Sequence, residues 1–151
     1  MKHVTYPNFP QYMLVARDNL MSHFRPIWNH FGLTEQQWRI LRALHDYNGS
    51  LEPRELCEVS QISSPSMTGI LARMEEDGMI NRSRVPEDQR RLIVKLSTKG
   101  TLLLSKIGPL IDLQYSYIEE ACGKQLFFEL FAVLDKFNDL KDRPIKQVDL
   151  P

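Results

Sequence analysis

Between Ser64 and Leu96 the chain changes its apolar period abruptly. SSPSMTGILARMEEDG places Ile70, Leu71 and Met74 at helical spacing and closes on Gly78. Directly after it, Met79-Ile80 leads into NRSRV, then a polar PEDQR, then LIVKL. Helical spacing that stops at a glycine and gives way to two short β-like runs predicts a helix followed by a hairpin. A helix and a hairpin each have one apolar side to bury, so both must lie on a shared core supplied by the rest of the chain. The polar stretch Pro86–Arg90 predicts a loop longer than a two-residue turn, and therefore one that projects.

The remaining segments read as helices. From Phe9 to Phe31, Met13, Leu20, Phe24, Ile27 and Phe31 recur with a 3.6-residue period. That predicts one long helix after an extended arm carrying Pro7 and Pro10, bent at Pro26 and stopped at Gly32. Thr34-Glu35-Gln36-Gln37 matches a capping box for a second helix, which turns Trp38, Leu41, Leu44 and His45 to one side and stops near Asn48-Gly49. Pro53 suits the first position of a short third helix with Leu56, Cys57 and Val59 inward. Ser64-Pro65 reads as a capping serine with a proline at the first helical position. Ser97 and Thr98 start a fifth helix reaching Cys122. Gly123 breaks it, a sixth helix covers Lys124 to Leu140, and residues 141–151 form a loosely held tail. One domain spans 1–151, mainly α with a small β-wing.

At 151 residues the chain is long enough for one real core. No apolar run approaches the ~18–20 residues a bilayer span needs. The N-terminus lacks a secretory pattern, and two widely spaced cysteines, Cys57 and Cys122, suit a reducing cytosol. These features predict a cytoplasmic protein with no membrane partner. Formal net charge is +0, but positive charge is gathered locally. Arg82 to Lys99 carries six Lys/Arg against Glu87 and Asp88, or +4, whereas Thr101 to Pro151 carries six against eight acids, or −2. A polyanion responds to the local charge within a Debye length of ~10 Å.

A short helix, a tight turn, a second helix with a Ser-Pro start and a basic hairpin, in that order over 33–97, make a winged helix-turn-helix. The start of the second of these helices is small and polar, so it can approach a DNA groove closely. Ser64, Pro65, Ser66, Met67 and Thr68 are the candidate contact residues, their hydroxyls bonding phosphates or base edges at a helix N-terminus that favours anions. Arg73 is placed to meet a backbone phosphate. With the helix in the major groove, the hairpin reaches the neighbouring minor groove, where arginine is the preferred side chain. Arg90 is the candidate for that role, Arg82 and Arg84 add charge, and Asp88 holds the loop shape. The alternative reading makes Ser64 a cap only and Arg73 a solvated charge.

The order of elements, DQRR at 88–91, LSTKG at 96–100 and LTEQQWRIL at 33–41 resemble the MarR (multiple antibiotic resistance regulator) family over residues 10 to 140. Family members commonly carry Asp-Arg-Arg where this chain has Asp88-Gln89-Arg90, so the middle arginine is replaced. MSHFRP at 21–26, LTEQQWRI at 33–40 and SMTGILARMEEDG at 66–78 are most similar to the subgroup repressing homoprotocatechuate (4-hydroxyphenylacetate) degradation operons. The resemblance implies a homodimer on a pseudo-palindromic operator with half-sites ~10 bp apart. Its dimerisation helices are 9–31 and 98–140. Independently, Phe127, Leu130, Phe131, Leu134 and Phe137 form a wide apolar face that a partner copy or the chain's own core must cover.

The resemblance also implies a small phenolic or aromatic carboxylate effector held between the dimer helices and the winged region. Arg17 shares a stripe with Met13, Leu20 and Phe24, and a guanidinium there wants a carboxylate, from a ligand or from a protein acid. Arg39 offers a second cation, toward ligand, solvent or partner. Met21, His23, Arg25 and Trp38 complete the candidate ligand set, with Trp28 and Trp38 also readable as core. The histidines at 3, 23, 30 and 45 lack metal-ligand spacing, Cys57 reads as inert packing, and no cofactor is predicted. No phosphate loop, nucleophile-base pair or metal triad points to an enzyme. The competing non-enzymatic reading is a winged module that binds protein and takes no effector.

Overall fold

The computed structural model describes residues 4–151. The elements run α1 (Phe9–Ser22), α2 (Arg25–His30), α3 (Glu35–Asp46), β1 (Ser50–Leu51), α4 (Pro53–Ser60) and α5 (Ser64–Glu76). They continue with β2 (Ile80–Val85), β3 (Asp88–Leu96), α6 (Thr98–Cys122), α7 (Lys124–Asn138) and a 3₁₀ turn at Asp139–Asp142. The chain divides into two compact units, Met1–Asp112 and Leu113–Pro151, with the break inside α6. His3 lies outside the described residues. No helix among the described residues is long and apolar enough to cross a membrane.

The predicted helix from Phe9 to Phe31 is in fact two. A proline ring clashes with the carbonyl four residues earlier, and for Pro26 that residue is Ser22, where α1 ends. Pro26 instead occupies the first turn of α2, where a missing N–H costs nothing. The break turns Phe24 and Trp28 inward, 1% and 4% exposed, with ring centroids 6.0 Å apart. At the other end, α1 starts at Phe9 with Pro10 in its first turn, so Pro10 belongs to the helix rather than to an arm. The side chain of Asn8 caps it by accepting from the Gln11 N–H at 3.3 Å.

The core of the first unit follows the periodicity. α3 forms its capping box, with the Thr34 N–H donating to Gln37 Oε1 and the Gln37 N–H donating to Thr34 Oγ1, at 3.0 and 3.1 Å. Its face of Trp38, Ile40, Leu41 and Leu44 is buried, and α3 packs on α4 and α5, whose own buried side chains include Leu56 and Ile70, Leu71 and Met74. Each such large apolar side chain contributes about 1.5–3 kcal/mol. α5 ends in a hydrogen-bonded reversal: the Met79 N–H donates to Met74 O and the Gly78 N–H to Glu75 O, both at 2.9 Å. Gly78 sits there at φ +74°, a conformation a side chain would strain.

The hairpin is one part of a three-stranded antiparallel sheet ordered β1-β3-β2, because Ser50 and Leu51 pair with Lys95 and Val94. The predicted long loop is instead a tight turn at Pro86-Glu87, since Val85 pairs with Asp88. The next pair is Arg84 with Leu92, so Gln89, Arg90 and Arg91 on β3 have no counterparts on β2. This bulge, rather than loop length, is the irregular part of the tip.

In the second unit, α7 carries no buried residue. Phe128 is 71% exposed and Phe131 60%, while Phe127 is half-buried against Tyr115 and Phe131. After Asp142 the chain has no regular element and is exposed.

Candidate nucleic-acid interface

Two opposite faces of α5 are distinct. Met67, Ile70, Leu71 and Met74 are buried at i, i+3, i+4 and i+7. Ser64, Pro65, Ser66, Thr68, Gly69, Ala72 and Arg73 are exposed. Met67, expected among the DNA contacts, is therefore a core side chain, 2% exposed. The cap also moves by one residue: Ser63 is the N-cap and Pro65 occupies the second helical position. The first intrahelical donor is the Met67 N–H, to Ser63 O at 2.9 Å. The amides of Ser64 and Ser66 thus lie in the helix's first turn, where donors have no intrahelical acceptor.

The hydroxyls are not equivalent. Ser63 Oγ donates to Ser66 Oγ at 3.0 Å, which leaves the Ser66 proton to donate outward. Thr68 Oγ1 donates to Ser64 O at 3.3 Å, so Thr68 presents a methyl and acceptor lone pairs. The turn before α5 is fixed by Gln61, which closes α4 in a left-handed conformation at φ 53°. Its side-chain amide donates to Glu58 O at 2.6 Å.

The arginines of the wing divide by partner. Arg82 donates through Nε to Glu75 Oε2 at 2.9 Å, joining β2 to α5. That hydrogen bond is the main reason the Glu75 carboxyl is held below its ordinary range. Arg91 donates from Nε to Glu52 Oε1 at 2.7 Å, and its Nη2 reaches the same oxygen. The Glu52 bond is likewise the main cause of the raised pKa of the Arg91 guanidinium. Arg84 donates to Arg90 O at 3.3 Å, and Asp88 Oδ1 accepts from the Arg90 N–H at 3.0 Å. The Arg90 guanidinium is exposed and has no hydrogen bond or ion pair to any described residue. Ser64, Ser66, Thr68, Arg73, Arg84 and Arg90 thus stay exposed, whereas Arg82 is half-buried in a protein ion pair.

Of the candidate ligand residues, the structure joins Arg17 and Arg39 through an acid the sequence reading did not single out. Arg17 pairs with Glu35, and Arg39 Nε lies 3.7 Å from the same carboxylate oxygen. Arg39 Nη1 also donates to Ser60 O at 2.9 Å, at the end of α4. Arg17 is half exposed, so its position on an apolar stripe does not bury it. Arg25 pairs with Asp18, Met21 is half-buried, His23 is exposed and Trp38 is core, 8% exposed. Trp28 is core as well, and its Nε1 is a buried donor without a partner among the described residues. Cys57 is only half-buried, beside Pro53, Met67 and Leu71 in a groove of about 410 Å³. It is not the fully inward side chain that helical phase predicted.

Comparison with known proteins agrees with this geometry. Residues 33–92 match the model of the MarR family. The chain is 42% identical to the HTH-type transcriptional regulator FarR of Neisseria gonorrhoeae over 84% of its own length and 88% of that protein. It is 37% identical to the homoprotocatechuate degradative operon repressor of Escherichia coli over 92% of each. Among solved structures, NadR in complex with 4-hydroxyphenylacetate superposes with a TM-score of 0.81 at 36% identity, covering 89% of this chain and 98% of NadR.

Proposed function

Because the chain belongs to the MarR family, we propose that it acts as a homodimeric, DNA-binding transcriptional repressor in the cytoplasm, released from its operator by a small phenolic acid. One observation carries the DNA-binding part: the side of α5 opposite its buried stripe is small and polar, and Arg90 is exposed without a partner at the wing tip. A helix with Ser66 and Thr68 outward can seat its first turn in the major groove, and a free guanidinium suits the narrow minor groove. Arg73 and Arg84 add backbone contacts, and Asp88 shapes the loop that presents Arg90.

A second copy provides the cover for the apolar faces. No residue of α1 is buried, with Tyr12 69% and Leu14 61% exposed, and α7 exposes Leu130, Phe131, Leu134 and Phe137. Such surface on a lone chain is an association site. The effector reading rests on the 37% identity to the homoprotocatechuate repressor and on the likeness to a regulator that holds 4-hydroxyphenylacetate. Arg17, Met21, His23, Arg25, Trp38 and Arg39 are the proposed ligand residues, with Glu35 the acid a ligand would compete with or pair beside. The protein performs no chemistry of its own in this reading, and its relatives are regulators by name.

Binding of a duplex from the region upstream of its own coding sequence, measured at two salt concentrations with and without 4-hydroxyphenylacetate, tests the whole. Affinity should fall steeply with salt and fall again with the acid. Affinity that ignores salt rejects DNA as the partner. Salt-sensitive binding that ignores the acid rejects only this effector class.

A further inference from the structure

The adjacent arginines of the wing have the same chemistry but opposite surroundings. The Arg90 guanidinium has no partner among the described residues, whereas Arg91 places two donors on one oxygen of Glu52, a residue 39 positions earlier at the N-cap of α4. Arg91 reaches the start of α4 through Glu52, and its neighbour Arg90 is exposed. Both lie in the bulge, where Gln89, Arg90 and Arg91 have no ladder partners on β2. With no register partners on β2 there, side-chain contacts add to what holds the tip. They are Gln89 Nε2 to Val85 O, the Arg90 N–H to Asp88, Arg84 to Arg90 O, and Arg91 to Glu52. The first three stay within the wing; the last ties the tip to the helix-turn-helix.

We propose that Glu52 and Arg91 are a positioning pair: they fasten the wing tip to the start of α4 and so fix where Arg90 points. Arg91 is then a strut and not a phosphate contact. The inference deepens the DNA-binding reading and rests on it for its consequence, though the strut itself is a property of the free protein. It makes a prediction of unusual sign. Removing an acid from a DNA-facing surface should tighten binding by relieving repulsion from phosphate. If Glu52 holds the reader in place, removing its charge weakens binding.

Glu52→Gln, Arg91→Gln and the double variant provide the test, because glutamine keeps an acceptor oxygen for the Glu55 N–H of the capping box and leaves the Glu52 N–H to Glu55 Oε2 bond, 2.7 Å, in place. Without DNA, amide exchange across residues 85–92 should quicken about two- to fivefold in each single variant, the range of a partly exposed ion pair. The double variant should exchange no faster than either single one. On the upstream duplex, both single variants should lose affinity by a similar factor, with the salt slope of Arg91→Gln equal to that of the unaltered protein. Unchanged exchange in the wing overturns the proposal whatever DNA does. Tighter binding by Glu52→Gln also overturns it, as does a salt slope lowered by about one in Arg91→Gln, which would make Arg91 a phosphate contact. If the unaltered protein shows no salt-sensitive binding, the DNA-binding reading fails and the exchange data still decide the strut.

Discussion

Glu75 and Arg82 stand on either side of the Gly78 reversal with Oε2 and Nε 2.9 Å apart, so the last turn of α5 and the first wing strand are joined by an ion pair. The bond holds the Glu75 carboxyl below its usual range, chiefly through the donated hydrogen bond from Arg82. A depressed carboxylate stabilises the folded state fully above its unfolded value, ~4.3, and that contribution is lost as pH falls through the lower folded value. Glu75→Gln should therefore melt below the unaltered protein at pH 6–8, and the gap should close as pH falls below the ordinary carboxylate range. Thermal melts across that range check it; a gap that widens toward acid would contradict the pairing.

Two glycines predict opposite outcomes for the same substitution. A Cβ at Gly100 would lie 2.2 Å from the Met79 carbonyl oxygen, which is backbone and cannot step aside cheaply. Gly100→Ala should destabilise by about 1–3 kcal/mol. A Cβ at Gly69 meets nothing within 4 Å, and the residue is mid-helix and exposed. Gly69→Ala should stabilise by roughly 0.5–1 kcal/mol. If this face of α5 enters a groove, it should also lower DNA affinity, and denaturant unfolding beside a binding titration separates the two effects.

Arg90→Ala should weaken binding of the upstream duplex by about 1–3 kcal/mol. The guanidinium has no partner among the described residues, so the melting temperature should not move. Calorimetric melting and fluorescence anisotropy on the same sample check both halves, and unaltered affinity would remove Arg90 from the interface.

Phe131 is 60% exposed on α7 and packs edge-on to Phe127 at 5.2 Å. A charge there is tolerable on a lone chain and costly in a buried homodimer interface. Phe131→Glu should shift the sedimentation coefficient from dimer to monomer and abolish binding to a two-half-site duplex. A dimer that survives the change would place its interface elsewhere.

Local signals were readable without coordinates. The Thr34–Gln37 capping box, the Gly78 stop and the Asn48-Gly49 stop each involve residues within a few positions, and all three are realised. The buried stripes of α3 and α5 follow a period of 3.6 for the same reason. Met67 departs from the expected contact set because its neighbours Ser66 and Thr68 mark a polar turn, while helical phase, counted back from Ile70 and Met74, places it inside.

By itself, the order of residues determined the element types, the winged arrangement and the family, because periodicity, caps and turn chemistry act over short stretches of chain. Only the folded chain decided which acid each arginine meets. Arg17 finds Glu35, Arg82 finds Glu75 and Arg91 finds Glu52 across separations of 18, 7 and 39 residues. Nothing local encodes those meetings, since they depend on how packed helices and a bulged strand bring distant side chains within hydrogen-bonding reach. That same packing leaves the Arg90 guanidinium, next in line to Arg91, exposed and without a partner among the described residues.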